Sequence, residues 1–247
     1  MKLKQLIIFF LLLGWTFACA ALPSANIILK KIDSNYTAEN RYSEVTLVVH
    51  SRRGSRRMQA RSWAIGTKKA FTEYLSPARD KGTKMLKLKD ELWIYSPQAD
   101  RIIKIAGHML RQSMMGTDMS YEDMMEDPVL SNIYTAVVTG EEVVNSRNCF
   151  VLKLTAKKEG TAYHTRKIWV DKRRYLPLRE DRFAKSGKRL KTTNIKRVFK
   201  VGQRWYPKEL VFKDALKSGK GTELVIDSIK FDVKIPRYKF SKAALRR

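Results

Sequence analysis

Cysteine is scarce in this 247-residue chain, with only Cys19 and Cys149 present. Cys19 falls within an N-terminal leader, so one thiol is left and no internal disulfide can form. The fold must then rest on its core. Cys149 lies in the apolar run NCFVLKL and reads as a small buried hydrophobe. Histidine is scarcer still than the acids: three residues, His50, His108 and His164, scattered without ligand spacing. There is no G-x-S-x-G element and no glycine-rich loop leading a strand into a helix. Glu141 and Glu142 are adjacent on a strand and face opposite ways, which argues against a paired acid and base. These absences speak against an enzyme and against a resident cofactor. Acids are few, 24 against 50 Lys and Arg, a net charge of +26. No apolar run reaches the roughly 20 residues of a membrane span.

What is present begins with an address. Lys2 and Lys4, the apolar run Leu6 to Leu13, and Ala18-Cys19-Ala20 form the pattern of a secretory signal peptide over residues 1–20. The rival reading is a lipid anchor on Cys19. Residues 21–247 are expected to form a single periplasmic domain. In an exported protein the positive balance suggests anionic membrane lipid, lipopolysaccharide or an acidic partner surface, and not nucleic acid. The basic residues Arg52, Arg53, Arg56, Arg57, Lys172, Arg173, Arg174 and Arg197 are the candidate docking surface. The alternative is a solvated face. Residues 166–204 concentrate fifteen Lys or Arg against three acids.

Ile28, Leu29 and Ile32 make one apolar stripe behind Ser24, which predicts a helix over 24–35. From Ser43 onward the chain reads as short strands separated by turns such as Gly66-Thr67, Lys81-Gly82, Pro97 to Asp100 and Ser186-Gly187-Lys188. The spacing predicts about eleven strands in a mainly β, antiparallel meander, with too few helices for βαβ units. A sheet of this width must curl into a half-barrel or barrel, and its concave face then needs a cover.

One stretch interrupts the strands. Gly107 to Val129 holds six of the nine methionines, five acids and one Arg. Ser120 and Asp123 are spaced as a capping pair, and Pro128 stops the short helical segment that follows. Three readings stay open. The methionines fill the core, or they form a flexible liner for acyl chains, or with His108 they hold copper(I). The candidate lipid-lining set is Met109, Met114, Met115, Met119, Tyr121, Met124 and Met125. To it are added the aromatic residues Trp63, Phe71, Trp93 and Trp169, some of which are expected on the concave face.

Four segments carry a resemblance. They are DELWIYSPQADRIIKI, the Gly116/Asp118/Ser120/Tyr121/Asp123 pattern in SMMGTDMSYEDM, the Trp169-Val170-Asp171…Leu176-Pro177…Gly187 run, and the Ile235-Pro236…Phe240-Ser241…Leu245 ending. Together they resemble the LolA-like outer membrane lipoprotein-sorting proteins. Thr117 stands where Ser is usual, and Met119 where Phe is usual. The resemblance implies an eleven-stranded half-barrel lidded by helices, with lipid or lipoprotein acyl chains held between, and an RND-type inner-membrane transporter as partner. No residue is matched to the buried arginine of the better-known carriers, so the resemblance does not imply a latch of that kind.

Overall fold

The computed structural model describes residues 23–51 and 54–247. The expected signal peptide with Cys19, and Arg52 and Arg53, lie outside the described residues. One helix, α1 (Ala25–Tyr36), precedes thirteen strands: β1 (Asn40–Ser51), β2 (Gly54–Ile65), β3 (Lys69–Ser76), β4 (Lys84–Leu88), β5 (Glu91–Ser96), β6 (Arg101–Ile105), β7 (Tyr134–Val144), β8 (Arg147–Ala156), β9 (Thr165–Asp171), β10 (Pro177–Phe183), β11 (Arg189–Val201), β12 (Arg204–Asp214) and β13 (Gly221–Phe231). Two short helices, α2 (Tyr121–Met125) and α3 (Leu130–Ile133), lie between β6 and β7. The strand count exceeds the expected eleven by two, and segments as short as the five-residue β4 and β6 pair into the same sheet.

The strand order is β6-β5-β4-β3-β2-β1-β13-β12-β11-β10-β9-β8-β7, with antiparallel neighbours throughout. Two meanders are thus joined by their first and last strands. β6 forms one edge of the sheet and β7 the other. Register shifts at Glu44/Val45, Val138/Gly140 and Ile195/Arg197 are bulges that bend the sheet into its curl. The Met-rich connection, residues 106–133, runs from one edge to the other. It is therefore a strap across the concave face.

That face is covered in two halves. Ile28, Leu29 and Ile32 of α1 are 0–1% exposed and pack with Tyr134, Phe150, Leu152, Leu154, Ile168 and Val170 of β7 to β9. Each is worth about 1.5–3 kcal/mol on burial. Ser24 holds the N-cap position of α1, but its side chain makes no capping bond. The strap covers the other half, against Leu47, Met58, Ala60, Tyr74, Met85, Leu92 and Ile94 of β1 to β5.

Alternation sends the neighbours of these residues to the opposite face. There the C-terminal tail, two 3-10 turns at Arg237–Phe240 and Lys242–Leu245, seats Phe240, Ala244 and Leu245 on Phe71, Leu86 and Trp93. Leu245 is fully buried. Leu245→Ala should lower the melting temperature by about 5–15 °C, from a cavity cost of about 2–5 kcal/mol. A thermal scan showing less than about 2 °C of change would mean the tail contributes nothing to stability.

Candidate functional site: a strapped cavity with a buried ionic floor

The strap is held by side chains. Its second 3-10 turn, Met114–Gly116, needs two successive left-handed residues, Met115 at φ 50° and Gly116 at φ 74°. A side chain at Gly116 would meet the Arg56 guanidinium at 3.1 Å. That guanidinium donates to the Met115 carbonyl and to Asp80 Oδ2 at 3.3 Å. Asp118, 5% exposed, accepts from Thr222 Oγ1 at 2.8 Å and from the Asp214 amide at 3.0 Å. Lys217 donates to Ser113 Oγ and to the Thr117 carbonyl. The expected capping box is present. Asp123 accepts from the Ser120 amide at 2.7 Å, and the Asp123 amide donates to Ser120 Oγ at 3.2 Å. At the far end the Asp33 carboxylate of α1 accepts from the amides of Leu130 and Ser131, at 2.8 and 3.2 Å. Asp118, Ser120 and Asp123 of the resembled pattern are thus among the strap's anchors.

Beneath the strap lies a buried ionic cluster. Arg166 on β9 is 2% exposed. Its Nη1 donates to Glu180 Oε1 at 2.6 Å and its Nη2 to Glu126 of the strap. Its guanidinium lies 4.7 Å from the Tyr134 ring centroid and 5.4 Å from that of Tyr163. Arg182 donates to Glu180 Oε2 at 3.1 Å and to Asp123 Oδ1 at 3.0 Å. Lys191 and the Tyr163 hydroxyl complete the shell of Asp123. A buried arginine therefore does meet the strap, although no residue was matched to one in the sequence. The signal was in the alternation: Arg166 is in phase with Ile168 and Val170, and Glu180 and Arg182 with Leu178.

Burial alone would raise the pKa of Asp123, but Arg182 and Lys191 override it and hold the carboxyl at about 2. Glu180 behaves alike. Burial opposes its charge, yet Arg182 and Arg166 bring it to about 2. Both are more acidic folded than unfolded, so the stability they confer is complete above their ordinary values of 3.8 and 4.5. It is lost as the pH falls through about 2. Denaturant titrations from pH 6 to pH 2 should show stability falling most steeply below about pH 4.5, by an amount of order 2 kcal/mol per carboxyl. A flat profile over that range would contradict the ionic cluster.

A cavity of about 360 Å³ opens between the strap and the sheet, lined by residues of β10 to β12 and of β2 to β4. Its apolar wall includes Ala70, Met124, Leu130, Leu178, Ile195, Leu210 and Phe212, and its charged part includes Lys87, Asp123, Glu126, Arg166, Glu180 and Arg182. A more polar hollow of about 410 Å³ shares Tyr36, Arg41, Ala64, Gly66, Thr67 and Pro128 with it, and adds Arg204. Lys87 donates to the Met125 carbonyl at 2.9 Å, and burial lowers its pKa.

The sequence-derived candidates divide. Of the strap residues, Met124 lines the cavity. Met109, Met114, Met115, Met119, Tyr121 and Met125, together with Met124, pack on the β1 to β5 half of the sheet. Trp63, Phe71 and Trp93 do not share that face and lie on the C-terminal tail's side. Lys239 sits 3.8 Å from the Trp63 ring and Lys242 4.4 Å from that of Trp93. Trp169 stands opposite Ile168 and Val170 on β9, with its indole N–H donating to Glu142 at 2.6 Å. The register that separates these faces was not legible without the ladder.

The basic candidates do not form one patch. Arg56 anchors the strap, and Arg57 is exposed beside the β1–β2 turn. Lys172, Arg173 and Arg174 occupy the β9–β10 turn, at the other end of the strands. There Lys172 pairs with Glu141, and Arg174 lies 3.9 Å from the Trp205 ring. Arg197 pairs with Glu209 at 2.7 Å. Among the described residues no cluster of three His, Cys, Asp or Glu has the arrangement of a metal site. Cys149 is buried, and burial raises its thiol to about 11.

Three solved structures share the fold. A DUF1329 family protein from Desulfovibrio piger is 24% identical, with TM-score 0.80 over 89% of this chain and 96% of its own. A protein described as an outer membrane lipoprotein-sorting protein domain, from Vibrio parahaemolyticus, is 20% identical, with TM-score 0.79 over 91% and 98%. A LolA superfamily protein from Nitrosomonas europaea is 20% identical, with TM-score 0.75 over 90% and 100%. No curated protein sequence matches the chain. A family model with the description "Uncharacterized protein" matches residues 66–247, from the β2–β3 turn to the C-terminus. The chain belongs to that family, and its curled antiparallel sheet is LolA-like.

Proposed function

We propose that this chain is a periplasmic carrier that holds an acyl chain, of a lipid or of a lipoprotein, between its strap and its sheet, and delivers it toward the outer membrane. The observation that carries this reading is the cavity. Leu178, Ile195, Leu210 and Phe212 wall it from the sheet, and Met124 from a strap fastened largely by side chains. An acyl chain leaving a bilayer must replace apolar contact worth about 0.8 kcal/mol per CH₂. A cavity under a releasable cover supplies that contact and excludes water. The net positive charge favours approach to anionic headgroups, and the resemblance adds an RND-type inner-membrane transporter as partner.

A second reading is a non-carrying envelope scaffold that binds a membrane transporter or lipopolysaccharide through its basic surface. It is favoured by the strap methionines, which fill half of the concave face with the protein's own side chains. Native mass spectrometry of protein purified from the cell envelope separates the two. A carrier shows an added lipid or acylated-peptide mass that delipidation removes. A fully empty protein, unaltered by delipidation, contradicts it.

A further inference from the structure

We infer that the cavity takes an anionic single-chain amphiphile, whose carboxylate or phosphate seats on the Arg166 guanidinium in place of Glu126. This rests on the carrier reading and names its cargo class. Arg166 is 2% exposed, yet its Nε has no hydrogen-bond partner among the described residues. Nε and Nη2 form one edge of a guanidinium, the edge that grips an oxyanion through two parallel bonds. Glu126 holds only Nη2, so that edge is half filled, and by a residue of the strap. Arg182 repeats the pattern, with Nη2 on Glu180 and Nε unpartnered.

Charge points the same way. Arg166, Arg182 and Lys191 balance Asp123, Glu126 and Glu180. An anion on the Arg166 guanidinium would sit directly beside Glu126 and Glu180, and like-charge repulsion within this cluster favours the withdrawal of one carboxylate. Glu126 is the one able to go. It is the residue after α2, outside the Ser120–Asp123 capping box, and two residues before the exposed Pro128. The apolar wall that begins at Leu178 receives the chain. The cavity, about 360 Å³, lies at the small end of ligand pockets, roughly 300–1,000 Å³, which suits one chain. Seating the headgroup would therefore release one ionic tie of the strap, that of Glu126, while Asp123 stays on Arg182 and Lys191.

The test is calorimetric titration of the delipidated mature chain with palmitate, with hexadecanol and with inorganic phosphate. Palmitate should bind at least about tenfold tighter than hexadecanol. Glu126→Gln should tighten palmitate by about tenfold and leave hexadecanol unchanged. Equal binding of palmitate and hexadecanol overturns the headgroup site while the carrier reading stands. Binding of neither overturns both. Phosphate binding as tightly as palmitate would make this a free-anion site and overturn the amphiphile. An E126Q chain that binds palmitate no tighter than the unaltered one overturns the displacement.

Discussion

Replacing Asp123 with alanine should cost about 3–5 kcal/mol of stability, the loss expected when one member of a buried ionic network is removed. Asp123 caps α2, accepts from Tyr163, and neutralises Arg182 and Lys191, whose side chains are only 12% and 13% exposed. Alanine leaves both cations buried beside a vacated site and removes the cap, itself worth about 1 kcal/mol. Asp123→Asn keeps the capping acceptor and loses the charge, so it should fall between the two. Urea titration of the three proteins gives the comparison. An alanine cost below about 1 kcal/mol would show that the cluster does not hold the strap.

Leu210→Trp should cut acyl-chain loading by more than about tenfold while changing stability by no more than about 1–3 kcal/mol. Leu210 is 6% exposed on β12 and faces the cavity beside Ile195 and Phe212. An indole there grows into the space the cargo needs. Because that space is open, the overpacking cost stays at the low end of the range. Titration with a fluorescent fatty acid, paired with a thermal scan, reads both quantities. Full loading in the variant would place the cargo elsewhere.

Much of this architecture was legible before the ladder was seen. The Ile28-Leu29-Ile32 stripe predicted α1, and the expected antiparallel meander of about eleven strands is present with thirteen. The Ser120–Asp123 spacing predicted a capping box that is present. What was not legible was where the Met-rich stretch leads. Only the pairing of β1 with β13 makes β6 and β7 the two edges, and so turns an insertion into a strap. Trp63, Phe71 and Trp93 could not be assigned a face, because a one-residue slip inverts every side chain of a strand. Arg166, Glu180 and Arg182 were hidden for a different reason. They sit in the most basic segment of the chain, where each reads as one more solvated charge. Their phase with Ile168, Val170 and Leu178 was the only local sign of burial.

The claim at the centre of this account is that an acyl chain lies under the strap, against β10 to β12. A benzophenone amino acid placed at Phe212, on the cavity wall, and separately at Trp63, on the opposite face, tests it in living cells. On illumination, position 212 should give an adduct carrying an acyl-chain mass, and position 63 should give none. Adducts of equal yield at both positions, or none at 212, would contradict it.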